Sequence, residues 1–492
     1  MENGVQVSTV SVAILNHRRP ALLSRVLSAI SQLDYPSFEI VVVGDQDGIA
    51  SYDLPDALAD QVRYVHFAEP NICRARNLAV QASCGEIVAF IDDDAAPEPS
   101  WLTELVKPFG DPQVATVGGT VRASDGVSVE WQGGVFDRTG QEFPLTLTQE
   151  ITLQSADEQR ANGRYLGLRG VNSAFRRKAL MQVGGFDEAI RYYLDETDMA
   201  LRLADAGWSA AITRKAEVHH LLVPNASRGL LRNPGNQHEI GAGKAVFCAK
   251  HSSDQQDQAL ADFRTQRVAM LDPQMRLGIV RMADRRRVEQ ELEAGICEGL
   301  SRSSCQPLAT EAETPDFRPF QHQSDFPVLN IGIDTGWDPA VNRALILRGR
   351  ALSAAGHRVS VFSFKSGPTP LRVNFRDGMW WHSGGTWTLP AWDEKPAISR
   401  RDRAKAERAR VRQVRAMDVV LTPGKAAQPA GFIELPGCRR KVAMLAGEDF
   451  TGDADAVLSL LQSVADAPEA TQNYAKRCMR PAKTRPLSAP AT

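Results

Sequence analysis

The sequence is short of the features that mark several classes of protein. No stretch approaches the roughly 18 to 20 consecutive apolar residues that span a bilayer, which argues against a processive membrane synthase. The first residues contain no basic segment followed by an apolar run, so we expect no signal peptide. The seven cysteines are scattered and form no C-x-x-C pair, which favours free thiols in a reducing cytoplasm.

The sequence also lacks a strong excess of charge of either sign. It has 57 Lys and Arg against 59 Asp and Glu, a formal net charge of -2. This balance argues against a dedicated nucleic-acid-binding protein, which would usually carry a basic domain. With 492 residues the chain is too long for one compact core, and we expect two or three domains.

The first 250 residues alternate predicted strands with predicted helices, which indicates an α/β fold. Strands are predicted at residues 9–15, 38–43, 62–67 and 86–91. This order predicts a parallel sheet with helices on both faces. Ligands of such sheets bind beyond the carboxyl ends of the strands. Asp45 and the run Asp92-Asp93-Asp94 each follow a strand, so we expect them at that edge.

The composition changes twice along the rest of the chain. We predict an N-terminal domain at 1–250, a polar and helical linker at 251–325, a second Rossmann-like α/β domain at 326–467 and a disordered tail at 468–492. The second domain begins with a predicted strand at 328–333. A helix ended by Gly356 and a strand at 357–364 follow.

Asp92, Asp93 and Asp94 place three carboxylates directly after an apolar strand. Adjacent anions repel one another, so a fold tolerates them where a cation or water offsets the charge. Mg²⁺ and Mn²⁺ prefer oxygen ligands and bridge to phosphate oxygens. The triplet alone leaves two interpretations open, a divalent-cation site and a solvated acidic turn.

A second acidic group contains Asp195, Glu196 and Asp198, at the predicted start of a helix that ends near Gly207. The helix dipole favours anions in this first turn, so simple N-terminal capping explains the cluster when it is taken alone. Farther upstream, Arg76 offers positive charge for a diphosphate.

Together these segments resemble the family 2 glycosyltransferases of the GT-A fold, over residues 8 to 250. The matching motifs are Val12-Ala13-Ile14 with Arg19-Pro20, Glu39 to Asp45, Arg74-Ala75-Arg76-Asn77, Cys84-Gly85-Glu86 to Asp94, Pro99-Ser100-Trp101-Leu102, Asn172 to Arg177, Gly184 to Glu188 and Asp195 to Gly207. The resemblance implies a GT-A domain that transfers a sugar from a nucleotide-sugar donor, with a divalent cation, Mn²⁺ or Mg²⁺, as cofactor.

The resemblance also implies roles for individual residues. Asp45 would hydrogen-bond the nucleobase, while Asp92 and Asp93 would contact ribose or sugar. Asp94 would bind the metal, with His219 or His220 completing the site. The catalytic base would come from Asp195-Glu196, with Glu196 where the family usually has aspartate. The acceptor-side residues are Asn172 and Asp198.

The sequence departs from the family pattern in the expected nucleobase pocket. Asn16-His17-Arg18 stands where the family often has Thr-Tyr-Asn, and Gly44-Asp45 stands where it often has two aspartates. UDP, GDP and dTDP donors therefore all remain open.

Residues 327 to about 465 resemble one Rossmann-type half of a GT-B glycosyltransferase, without the donor-binding half. Acceptor binding, docking and a degenerate remnant are all open roles for it. Trp380-Trp381-His382 is either a sugar-stacking site or part of a buried core. The basic run Arg400–Arg415 is either a solvated helix face or a peripheral contact with an anionic membrane that carries a lipid-linked acceptor.

We therefore expect an inverting, metal-dependent glycosyltransferase that acts on a glycan or lipid-linked acceptor in surface polysaccharide or glycoconjugate synthesis. Its expected location is the cytoplasm, with the inner face of the membrane as a peripheral alternative. Two other functions stay open. One is a non-catalytic carbohydrate-binding or scaffold protein that keeps the fold. The other is a nucleotidyltransferase-like enzyme, although Asn16-His17-Arg18-Arg19 supplies no Gly-rich phosphate loop.

Overall fold

The computed structural model describes residues 7–145, 147–223, 235–306, 308, 315–322, 328, 330–334, 339–354, 356–365, 372–385, 419–421 and 443–445. The chain divides into two compact units, residues 1–321 and 322–492, and each is described by itself. The predicted tail at 468–492 and the basic run Arg400–Arg415 lie outside the described residues.

The strands of the first unit are β1 Val10–Asn16, β2 Phe38–Gly44, β3 Val62–His66, β4 Ile87–Asp92, β5 Ala95–Pro97, β6 Val114–Arg122, β7 Val129–Trp131, β8 Gly134–Phe136, β9 Glu142–Pro144, β10 Ile151–Gln154, β11 Tyr165–Leu166, β12 Ser173–Arg176 and β13 Ser209–His220. Its helices are α1 Pro20–Ile30, α2 Asp56–Ala59, α3 Ile72–Ala82, α4 Trp101–Val106, α5 Ala156–Asn162, α6 Arg177–Gln182, α7 Asp195–Asp205, α8 His238–His251, α9 Gln256–Ala269, α10 Asp272–Arg276 and α11 Met282–Ser301.

Among the described residues of this unit, ten strands form one mixed sheet. Its main path runs β10-β13-β6-β12-β4-β1-β2-β3, while β5 pairs with β13 and β7 pairs with β6. The strands β4, β1, β2 and β3 are parallel, as predicted. The prediction of a wholly parallel sheet is wrong, because β12 lies antiparallel between β4 and β6. No single helical crossover leads into β12: the chain reaches it after β7 to β11, so parallel entry is not imposed.

The register of the parallel strands places the predicted donor-site residues at one edge. Leu15 of β1 is paired with Asp92 of β4, and Asn16 is paired with Gly44 of β2. Asp45 and the Asp92 to Asp94 turn therefore leave the sheet at the same end, which confirms that expectation.

The long strand β13 brings two histidines to this edge from a distant part of the sequence. Its pairing with β6 shifts register between Thr213 and Glu217. Beyond the shift, His219 and His220 pair with Ala96 and Ala95 of β5, next to the aspartate turn. Successive side chains of a strand point to opposite faces, so the two imidazoles are directed apart.

Apolar side chains cover both faces of the sheet. On one face, Phe90, Phe175 and Phe186 pack edge to face with ring centroids 5.7 to 5.9 Å apart. On the other, Trp101 is fully buried. Large buried aromatic surfaces of this kind dominate the stability of a core.

The segment predicted as a polar and helical linker contains the helices α9, α10 and α11. Helices α8 and α11 approach closely because their glycines have no side chain: a Cβ at Gly295 would overlap the His238 backbone. Residues 315–321 lie against β2 and β3, where Phe320 stacks on Phe38 at 5.0 Å and Arg63 donates to the Asp316 carbonyl at 2.6 Å.

The second unit contains β14 Asn330–Asp334, α12 Pro339–Ala354, β15 Arg358–Lys365, β16 Arg372–Arg376, β17 Met379–Gly385, β18 Val419–Leu421 and β19 Ala443–Leu445. Its described strands form a sheet in the order β16-β17-β15-β14-β18-β19, parallel except for β16. The resemblance to half of a GT-B enzyme stays a prediction.

Two local features of the second unit bear on the sequence predictions. Gly356 follows α12 with a φ of +91°, as expected for a residue that ends a helix. Trp380 and His382 are each 1% exposed and Trp381 is 9% exposed. These three residues belong to the core of the unit. Across the described residues of the whole chain, no helix has the length and apolar composition needed to cross a membrane.

Candidate functional site

Asp93 is fully buried and fixes the turn after β4. Asn16 donates to its carboxylate at 2.7 Å, and the Arg19 guanidinium lies 2.5 Å away. Burial raises the pKa of Asp93 to about 7, and the Arg19 charge opposes that rise. The side chain therefore holds β1 and the turn together. Arg19 also lies 3.4 Å from Asp94, a contact that the sequence reasoning did not predict.

Asp92, Asp94 and His220 form a cluster whose potential ligand atoms all lie within 4.8 Å of one another. The Asp94 carboxylate lies 3.2 Å from the His220 Nε2, and its other oxygen accepts from the Val223 amide at 3.0 Å. Burial raises the pKa of Asp92, and the neighbouring Asp94 charge adds to the rise. Two carboxylates and an imidazole make a donor set that a divalent cation can take.

Glu130 of β7 orients His220 from the other side of the ring. Its carboxylate lies 3.1 Å from the His220 Nδ1. Although burial lowers the pKa of His220, the hydrogen bonds to Asp94 and Glu130 raise it to about 9. An Nδ1–H bound to a carboxylate directs Nε2 toward the aspartates, as is common for histidines that bind metals. Sequence reasoning missed Glu130 because no motif marks it.

His219 lies in a different cluster on the opposite side of β13. Its Nε2 lies 2.7 Å from Glu98, and Glu217 completes the group. Glu217 in turn receives two hydrogen bonds from Arg122, at 2.7 and 3.0 Å. Of the two histidines predicted to complete the metal site, the structure therefore brings only His220 to Asp94.

The carboxylates at the start of α7 are held by Arg76 of α3. The guanidinium lies 2.7 Å from Asp195 and 2.9 Å from Glu196. It is 2% exposed and lies between the rings of Phe90 and Phe186, at 5.4 and 5.3 Å from their centroids. Its charge is thus already compensated within the protein, which differs from the diphosphate contact that the sequence suggested.

Arg76 acts differently on the two carboxylates. Burial raises the pKa of Asp195 to about 8 against the opposing charge of Arg76. Burial also favours a higher pKa for Glu196, but the charge and hydrogen bond of Arg76 outweigh it and lower the pKa of this group. Glu196 is therefore the better of the two to accept a proton near neutral pH.

The backbone before α7 is strained. Tyr193 and Leu194 have φ values of 77° and 66°, in the left-handed region that non-glycine residues rarely adopt. Such strain persists only where neighbouring structure enforces it, and it often accompanies functional sites. Here it directs Asp195 and Glu196 into the first turn of α7.

Asp45 lies at the end of β2, where it accepts from the Arg18 backbone amide at 3.0 Å and lies 3.6 Å from the His17 ring. These partners belong to the segment in which the sequence departs from the family pattern. Asp45, the predicted nucleobase contact, therefore lies at the expected edge, beside residues that depart from the family pattern.

Asn172 and Asp198 are buried and bonded to other groups of the protein. Asn172 bonds to two backbone carbonyls and accepts from the Trp101 ring nitrogen at 2.8 Å. Asp198, in the first turn of α7, pairs with Arg202 of the same helix and with His251 of α8, each at 2.8 Å. Both side chains have partners within the protein, and their acceptor-side role stays a prediction.

One cavity of about 910 Å³ borders both the cluster around His220 and the carboxylates at the start of α7. Its walls include Asp92, Glu130, Glu196 and His220, together with the inner face of α9. Two of the three potential metal ligands, Asp92 and His220, thus face the same space as Glu196. Enclosed spaces with convergent polar groups are the usual form of small-molecule sites.

The comparison with protein families identifies part of the first unit. The model described as Glycosyl transferase family 2 matches residues 11–184. The match includes β1 to β12 and the Asp92 to Asp94 turn. It ends before α7, β13 and α9.

Curated relatives match over similar regions. The chain is 26% identical over 219 residues to the O-antigen biosynthesis protein RfbC of Myxococcus xanthus, covering 43% of this chain and 17% of RfbC. It is 27% identical over 197 residues to the glucosyl-dolichyl phosphate glucuronosyltransferase of Haloferax volcanii, covering 37% and 56%. It is 29% identical over 123 residues to the succinoglycan biosynthesis protein ExoM of Rhizobium meliloti, covering 24% and 40%. The chain thus spans between 17% and 56% of the length of these relatives.

Solved structures give more distant similarities. GalNAc-T7 with UDP, GalNAc and Mn²⁺ is 15% identical with a TM-score of 0.39, covering 50% of this chain and 48% of that one. The mannosyltransferase PcManGT of Pyrobaculum calidifontis with GDP-Man and Mn²⁺ is 16% identical with a TM-score of 0.34, covering 60% and 88%. The family match is the most informative of these comparisons: residues 11–184 are similar to glycosyl transferase family 2.

Proposed function

We propose that this chain is an inverting, metal-dependent glycosyltransferase of the GT-A type. It moves a sugar from a nucleotide-diphosphate donor to a hydroxyl group of an acceptor. The observation that carries the proposal is that Asp92 and His220 line the same cavity as Glu196. A cation site and a base on one space are what sugar transfer with loss of a diphosphate requires.

The residues at the aspartate turn fit a divalent cation, Mn²⁺ or Mg²⁺. Asp92, Asp94 and His220 would hold it, and Glu130 already orients the imidazole. The donor atoms are two carboxylate oxygens and one ring nitrogen, a set suited to hard or intermediate cations. When bound, such a cation neutralises the charge that develops on the departing diphosphate.

Glu196 is the proposed catalytic base, positioned and kept ionised by Arg76. It removes the proton from the acceptor hydroxyl as that oxygen attacks the anomeric carbon, and the bond from that carbon to the diphosphate breaks. One displacement inverts the anomeric configuration. Asp195 shares Arg76 and holds the guanidinium in place.

The donor would lie along the sheet edge from Asp45 to Asp92. Asp45 is proposed to hydrogen-bond the nucleobase and Asp92 to contact the ribose or sugar. Asp93, bound by Asn16 and Arg19, keeps the turn in place. This arrangement leaves the Asp94 carboxylate directed at His220.

The names of the relatives support a role in polysaccharide or glycoconjugate synthesis. RfbC and ExoM are named for O-antigen and succinoglycan biosynthesis, and the Haloferax enzyme is named for a dolichyl phosphate-linked sugar. We propose a glycan or lipid-linked acceptor for this chain on that basis.

A donor panel tests the proposal. The purified chain is incubated with UDP-, GDP- and dTDP-sugars and Mn²⁺, and release of nucleoside diphosphate is measured with and without EDTA. We expect release from at least one donor, loss of release with EDTA, and loss in Asp94→Ala. Release that persists in EDTA contradicts metal dependence, and no release from any donor contradicts the enzymatic function.

A further inference from the structure

One wall of the cavity is built by α9, a helix that lies beyond residues 11–184. The residues of this helix and its two ends that line the cavity are separated alternately by three positions and by one position along the sequence. They are Gln255, Gln258, Ala259, Asp262, Phe263, Gln266, Arg267 and Met270. This spacing places them on one face of a helix. The face turned to the cavity is therefore a continuous surface about four turns long.

Within α9 itself, three side chains on this face are polar and exposed: Gln258, Asp262 and Gln266, called here the α9 wall. They lie one helical turn apart, and Gln258 donates to Asp262 at 2.8 Å. Being both exposed and cavity-lining, they offer amide and carboxylate groups to the space that Glu196 faces.

The apolar residues between them fix the wall in place. Phe263 stacks on Tyr193 with ring centroids 5.7 Å apart, next to the strained backbone that leads into Asp195. On the outer side, Arg264 binds Glu293 of α11 at 2.7 Å. The wall is thus held against the segment that positions the proposed base.

The chemistry of the wall selects among ligands. Two amides and one carboxylate give several donors and acceptors at fixed spacing, which suits the hydroxyl groups of a sugar. The Asp262 charge disfavours phosphates and acidic sugars. The nearby cations are engaged, since Arg267 donates to Gln237 at 2.6 Å and Lys244 donates to the Thr139 carbonyl.

We propose that the α9 wall binds the acceptor as an uncharged saccharide, through hydrogen bonds from Gln258, Asp262 and Gln266 to its hydroxyl groups. The proposal rests on the proposed function, because it assigns the acceptor of that same cavity. It places acceptor recognition on a helix outside the matched family domain.

Saccharide binding without a donor tests the wall directly. The probes are uncharged p-nitrophenyl hexosides, with binding to the full chain measured by saturation-transfer NMR titration. The test variant is Gln258→Ala/Gln266→Ala. The control is Asp257→Ala/Thr265→Ala, which changes two exposed residues of α9 that do not line the cavity. Melting curves confirm that both variants fold.

We expect the wild type and the control to bind at least one hexoside, and the wall variant to bind it roughly tenfold more weakly, since two hydrogen bonds are lost. Equal affinity of the wall variant and the wild type overturns the proposal. It is also overturned by equal weakening in the control, or by a wild type that binds none of the hexosides.

Release of nucleoside diphosphate without acceptor separates this proposal from the proposed function. The wild type and the control Asp257→Ala/Thr265→Ala should release it at similar rates, because neither Asp257 nor Thr265 lines the cavity. If hexosides bind through the wall but the chain releases no nucleoside diphosphate, the transferase function fails while saccharide binding stands. If donor release is normal but wall substitutions leave hexoside binding unchanged, the transferase function stands and the wall fails.

Discussion

Neighbouring histidines on β13 take part in two clusters with the same chemical composition. His220 meets Asp92 and Asp94, and His219 meets Glu98 and Glu217, so each cluster has two carboxylates and one imidazole. The first borders the cavity through Asp92 and His220. In the second, all three members are buried and Arg122 neutralises Glu217 through two hydrogen bonds.

The difference shows that a set of ligand-type residues does not define a metal site by itself. A buried carboxylate needs a compensating charge, and the protein can supply it from a side chain or leave it to a cation. In the cluster around His219, Arg122 forms two close hydrogen bonds with Glu217. In the cluster around His220, Arg19 lies farther away, 3.4 Å from Asp94, and Asp92 and His220 line the cavity. We therefore propose the cluster around His220 as the metal site.

The largest predicted effect concerns Glu196, the proposed base, which faces this cavity. Glu196→Gln should lower transfer about 10²- to 10⁴-fold, because the amide cannot accept the acceptor proton. Asp195→Asn should cost less, since burial already raises the pKa of Asp195 to about 8. Arg76 lowers the pKa of Glu196, so in the wild type this group should not limit the rate between about pH 6 and pH 8. Steady-state rates of the wild type, Glu196→Gln and Asp195→Asn across that pH range test these expectations. Equal activity of Glu196→Gln and wild type rules out Glu196 as the base.

The next largest effect compares matched substitutions in the two clusters. Asp94→Asn should lower transfer about 10²- to 10³-fold, because it removes a charge that holds the cation at the departing diphosphate. The matched change Glu98→Gln, in the buried cluster, should leave the rate near that of the wild type. A rate loss of similar size in both variants contradicts the assignment of the metal to one cluster.

How far these residues could be predicted from the sequence depends on whether they are close along the chain. The strand before Asp92, the edge location of Asp45 and the helix after Asp195 follow from local periodicity, and the structure has all three. The antiparallel β12 does not follow, because its pairing depends on a long excursion of the chain.

The site itself was only partly predictable for the same reason. Local sequence offered both His219 and His220, and only the register of β13 against β5 separates them. Glu130 and the α9 wall carry no motif, and they reach the cavity through tertiary packing. Arg76 was expected to offer its charge to a diphosphate, and its burial against two carboxylates could not be predicted from the sequence.

A smaller effect is expected from the residue that orients His220. Glu130→Gln keeps the size of the side chain but loses the carboxylate that accepts from the ring. Substitution of a residue that orients a metal ligand usually weakens metal binding about 10- to 100-fold. Titration of activity with Mn²⁺ should therefore show a higher requirement for metal and a nearly normal rate at saturation. An unchanged requirement contradicts the orienting role.

The smallest effect on catalysis is expected at His219, and it tests the comparison on adjacent residues. His219→Gln should leave the transfer rate within about twofold of the wild type, because Glu98 and Arg122 keep that side of β13 filled and paired. It should cost roughly 1 kcal/mol of stability through a weaker buried hydrogen bond, seen as a lower melting temperature. The same change one residue later, His220→Gln, should abolish the stabilisation that Mn²⁺ and nucleoside diphosphate together give to the wild type, which binding to the folded state produces. If His219→Gln also loses this stabilisation, the metal depends on both faces of the strand and the two clusters act as one.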